Sequence, residues 1–74
     1  MDFPTAVALS EAMARIYPAL IVAGFRRTSL EHPVDSWALD IVDPETGRMV
    51  TLDEKDDWQR RLDQQFPNLA ARRQ

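Results

Sequence analysis

With 74 residues and no cysteine, the chain has room for one small core and no disulfide or thiolate metal site to reinforce it. Apolar residues at 45% and charged residues at 28% suit a folded domain and argue against a disordered one. The net charge of −3 is uneven: residues 31–57 hold nine acids against Arg48 and Lys55, a local net of −7, while residues 58–74 carry +3 and residues 1–30 carry +1. An acidic middle opposes phosphate backbones.

The first 23 residues read as a helix. Ala6, Leu9, Met13, Ile16, Tyr17, Leu20 and Ala23 recur at helical spacing and form an apolar stripe from about Phe3 to Ala23. Asp2 or Thr5 suits the N-cap, and Pro4 is tolerated in a first turn. Pro18 removes a hydrogen bond and clashes with the preceding turn, so a kink or break is expected near Tyr17. Gly24 fits a left-handed C-cap. Val7, Ile21 and Val22 widen the apolar surface beyond one stripe, as in a homodimer built on this helix. No basic leader precedes the helix, and the run from Ile16 to Phe25 is too short for a bilayer, so a cytoplasmic protein without a membrane partner is expected.

Phe25 to Leu30 reads as a short edge strand. Glu31-His32-Pro33-Val34-Asp35-Ser36 is a loop. The stretch from Trp37 to Leu52 is a hairpin whose register follows from its pattern. Pairing Asp43 with Arg48 sets Ile41 opposite Val50 and Leu39 opposite Leu52, so that these four and Trp37 share one face. The loop Pro44-Glu45-Thr46-Gly47 remains, with Pro44 presetting φ and Gly47 taking the left-handed position. Ala38, Asp40, Val42, Met49 and Thr51 make a mixed, solvent-facing reverse.

Asp53 is a fitting N-cap for a last helix, with Glu54, Asp56 and Asp57 in its first turn. Trp58, Leu62, Phe66 and Leu69 give its buried stripe, Pro67 ends it, and residues 70–74 form a frayed tail. The fold class is therefore α+β: helix, three antiparallel strands, helix (αβββα), as a single domain with both helices on one face of the sheet.

No constellation for catalysis, cofactor binding or metal binding is found. The segment Asp53-Glu54-Lys55-Asp56-Asp57 lacks the alternating oxygen ligands and central glycine of a calcium loop. His32 is the only histidine and has no partner pattern around it. Trp37 and Trp58 fall on core faces. The pairs Arg26-Arg27 and Arg60-Arg61 lack aromatic interleaving and a longer basic stripe.

The acidic middle points instead to a protein partner. Asp43 and Glu45 at the hairpin tip, Asp40 on the outer face, and Asp53, Glu54, Asp56 and Asp57 beyond the return strand compose a negative surface. Such a surface suits a small non-enzymatic modulator or inhibitor of a basic, nucleic-acid-handling protein, in the manner of phage or mobile-element accessory proteins. The element order also resembles that of double-stranded-RNA-binding folds and of small HicA-type toxins, with Gly24-Phe25-Arg26-Arg27 leading into a strand and His32 after it. This resemblance implies an RNA-directed alternative. Glu31-His32-Pro33 stands where those toxins carry Gly-Ser-His surroundings, so the likeness is one of topology and transfers no active site.

Overall fold

The computed structural model describes residues 1–31 and 34–70, with side chains as far as Asn68. Helix α1 (Phe3–Ile16) is followed by strands β1 (Ile21–Arg27), β2 (Trp37–Val42) and β3 (Met49–Leu52), helix α2 (Trp58–Gln65) and a single turn of helix, α3 (Pro67–Ala70). The strands form one antiparallel sheet in the order β1-β2-β3. Leu39, Ile41 and Leu52 of the sheet share one buried cluster with Ala6, Leu9 and Met13 of α1, Leu62 of α2, and Phe66. The fold is the α+β arrangement that the apolar periodicities indicate, with α1 and α2 on the same face of the sheet.

α1 starts where its cap allows. Asp2 is extended, and its Oδ1 accepts the Thr5 amide at 2.8 Å. Pro4 sits in the first turn, where its missing N–H costs nothing. The break expected near Tyr17 is present, but the residues beyond it do not resume a helix. The helix does not run to Ala23; it ends at Ile16, and Pro18 breaks it outright. Tyr17 N–H still donates to Met13 at 2.8 Å, and Leu20 N–H then reaches Tyr17 O at 3.0 Å in a tight turn. Continuing through Pro18 would lose a hydrogen bond and incur a clash, together about 3 kcal/mol. Pairing the following residues with β2 satisfies their backbone instead.

Two corrections follow from that break. β1 starts at Ile21 rather than Phe25 and stops at Arg27 rather than Leu30. Gly24 lies inside this strand and does not cap a helix. The β1–β2 register shifts between Val22 and Gly24, leaving Ala23 as a bulge.

The hairpin has the register that the alternation requires: Leu39↔Leu52 and Ile41↔Val50. Asp43 N–H donates to Arg48 O at 2.9 Å, and Gly47, with φ of 76°, donates to Asp43 O at 2.8 Å. The reverse face is less open than its composition suggests. Ala38 is 0% exposed, and Asp40 is partly buried.

The last helix also begins later than expected. Asp53 does not cap it, and no acid occupies its first turn. The N-cap is Asp57, in a left-handed conformation (φ 56°, ψ 27°) and without a side-chain cap bond. Aspartate tolerates that conformation better than most residues. The turn sends Trp58 back toward α1, where its ring meets Tyr17 edge-on at 5.9 Å. Tyr17 O–H donates to Asp63 Oδ1 at 2.7 Å and to Gln59 O at 3.2 Å, fixing α2 against the end of α1. Phe66 caps α2, and Pro67 opens α3. The expected stripe residue Leu69 lies beyond the described side chains, and residues 71–74 of the expected tail lie outside the described residues.

Candidate acidic surface

The seven acids of the expected surface occupy three separate settings. Asp40 lies mid-sheet on the reverse face and is locked there. It accepts Arg26 Nε at 3.1 Å and the Thr51 hydroxyl at 2.8 Å, and it pairs with Arg26 Nη2 at 3.1 Å. Arg26 of β1 balances its charge, and Thr51 of β3 adds a neutral hydrogen bond.

Asp43 requires a correction. It is 1% exposed and does not present charge at the hairpin tip. One oxygen accepts the Glu45 amide at 3.0 Å; the other accepts the Thr46 hydroxyl and the Asn68 amide nitrogen, each at 3.2 Å. Desolvation opposes its ionisation, but the hydrogen bonds from Asn68, Glu45 and Thr46 together outweigh it and hold the carboxyl below its ordinary value. Asp43 is an organiser of the turn. Glu45 is exposed at the tip, at the other end of β3 from the remaining acids.

Asp53, Glu54, Asp56 and Asp57 are all exposed on the segment between β3 and α2. Arg61 pairs with Glu54 at 3.4 Å and with Asp53 at 3.9 Å, and Arg60 pairs with Asp57 at 3.2 Å. These arginines are engaged by their own acids. No salt bridge joins Asp56 to a cation among the described residues.

Two acids that local sequence gives no reason to include complete this end. Asp2 and Asp35 line a shallow depression of about 300 Å³ together with Met1, Asp53, Glu54 and Asp56. The Met1 amino group gathers the three segments. It donates to the carbonyls of Asp35 at 2.9 Å and of Trp37 and Asp53 at 3.3 Å. Hydrogen bonds from the Thr5 side chain and amide hold the Asp2 carboxyl below its ordinary value, so it stays charged. A second, less polar depression of about 460 Å³ adjoins the first and shares Thr5 and Lys55 with it. Its walls are Pro4, Ala8 and Leu9 of α1 and the partly buried Trp58.

His32 lies outside the described residues. Among those described, no group of His, Cys, Asp and Glu is gathered closely enough to hold a metal ion, and no helix is long and apolar enough to cross a membrane. The chain is thus a small α+β domain with an acidic depression beside an apolar groove. Compared with known protein families, curated proteins and solved structures, it matches none.

Proposed function

We propose that this domain is a non-enzymatic cytoplasmic modulator or inhibitor that binds a basic protein at the base of its sheet. The observation that supports this best is the contact between the two depressions. One offers carboxylates from three chain segments; the other offers Trp58, Leu9 and Pro4. A partner segment carrying a lysine or arginine beside an apolar side chain satisfies both at once. The apolar anchor supplies affinity, and the acids supply attraction and orientation. A nucleic-acid-handling protein, in a phage or mobile-element setting, is a partner class whose phosphate-binding surface would supply such basic segments.

The RNA-directed alternative gains less from the geometry. Arg26, Arg60 and Arg61 are paired with carboxylates, so their phosphate contacts would first require those pairs to break.

The test uses immobilised wild-type protein and a variant in which Asp53, Glu54, Asp56 and Asp57 are changed to lysine. From a lysate of the native host, the wild type is expected to retain a basic protein that elutes with salt, and the variant is expected to lose it. Retention by both to the same degree at every salt concentration defeats the proposal.

A further inference from the structure

Three aromatic rings meet at one corner of the sheet, outside the acidic depression. Phe3 of α1 lies edge-on to Phe25 of β1 at 5.4 Å and to Trp37 of β2 at 4.8 Å. Phe3 is 43% exposed and Phe25 39% exposed, although burial of such rings is ordinarily favourable. Arg27 lies over the Trp37 ring at 6.0 Å from its centroid. The Arg27 side of the cluster is basic. Arg27 belongs to the edge strand β1 and Trp37 to the central strand β2, while Asp53 follows β3 on the opposite edge, and Met1 holds the backbone of Trp37 next to those of Asp35 and Asp53. Across this end of the molecule the surface therefore runs basic, aromatic, acidic.

Among the described residues no salt bridge engages Arg27, Asp35 or Asp56, although Arg26, Arg60 and Arg61 all have partners. A polyanion would meet Arg27 and then the carboxylates; a polycation would meet the reverse. Each is repelled by half of the patch. A surface that is positive, aromatic and negative in order becomes its own complement after a half-turn. Rings then face rings, and each basic side faces an acidic one. That is the requirement of an isologous twofold interface.

We propose that a second copy of this chain docks here, with Phe3, Phe25 and Trp37 near the twofold axis and Arg27 facing the Asp35 and Asp56 side of its partner. This surface differs from the first-helix contact expected from Val7, Ile21 and Val22. Ile21 and Val22 lie in β1, and Val22 turns toward the core. The proposal goes beyond binding of a basic protein. It also implies competition, because both occupants use the acidic side.

Sedimentation equilibrium on the isolated chain tests it. The wild type is expected to dimerise with a Kd that rises with salt. Arg27→Glu and the double variant Asp35→Lys/Asp56→Lys are each expected to weaken dimerisation by about tenfold or more, since each sets like charges against each other. Mixing the two variants restores a dimer, because every contact in the mixed pair joins opposite charges. Recovery on mixing also excludes misfolding as the cause of the loss. Arg27→Gln serves where charge reversal perturbs the fold, and an intermediate Kd is expected. A monomeric wild type at about millimolar concentration, an unchanged Kd for Arg27→Glu, or a mixture that stays monomeric overturns the proposal. Arg27→Glu leaves capture of a basic protein intact, so the two proposals fail separately.

Discussion

A carboxylate at a hairpin tip serves the turn before it serves a partner, and Asp43 shows how. It sits at the first position of the turn that Gly47 N–H closes onto Asp43 O, and it takes hydrogen bonds from Glu45, Thr46 and Asn68. The sign of its pH effect follows from its lowered pKa. A carboxyl held below its unfolded value contributes stability that is complete above that value and is lost as pH falls through the folded one. The ordinary value is 3.8, so the loss begins below it. Asp43→Asn is therefore expected to be less stable than wild type near neutrality, with the gap narrowing in acid. Urea midpoints at about pH 7 and about pH 3 measure this, and a gap independent of pH counts against the charge. The local signal for this role was present as Asp followed by Pro and, four residues on, Gly. The Asn68 contact had none, because it joins positions 25 residues apart.

At the scale of elements, legibility depended on whether one period or two fitted the same residues. β2 and β3 carry Trp37, Leu39, Ile41, Val50 and Leu52 at alternate positions, and Gly47 fits their loop, so their pairing followed from residue types alone. Leu20, Ile21, Val22 and Ala23 fit a helical stripe and a strand equally well. Pro18 decided between them by breaking the helix, and partners in β2 made the strand worth forming. Pro18→Ala removes the local obstacle but not the partners. The expected outcome is that residues 21–27 stay extended by NMR chemical shift, with a loss of about 0.4–1 kcal/mol from a more flexible unfolded chain. Helical shifts beyond Tyr17 would show that the proline alone holds the break. The start of α2 was misplaced for a related reason. Four acids near a helix start look like dipole compensation, whereas the left-handed Asp57 delays the helix until Trp58 can meet Tyr17. That requirement is tertiary and leaves no mark in the spacing of the acids.

For the whole molecule, one core carries nearly all the stability. At about 0.05–0.15 kcal/mol per residue, a chain of 74 residues is held by about 4–11 kcal/mol. Leu39 is fully buried in the central strand, and Leu39→Ala is expected to cost about 2–5 kcal/mol, a large part of that margin. Leu30→Ala, at a site 82% exposed, is expected to change stability by no more than about 0.5 kcal/mol. Urea denaturation of both variants checks the contrast. The acidic end and the aromatic corner are also properties of the assembled molecule. Asp2, Asp35 and Asp53 converge only after Met1 joins their segments, and Phe3 reaches Phe25 only once α1 lies on the sheet. The bulge at Ala23 has a further consequence, for aggregation. A long flat margin of unpaired amides and carbonyls invites strands from other chains to add without limit. Here the longer margin is interrupted at its third residue, and the other, β3, is only four residues long. Neither offers a template for fibril growth, so the chain can expose apolar rings at one corner while its sheet edges remain poor sites for open-ended polymerisation.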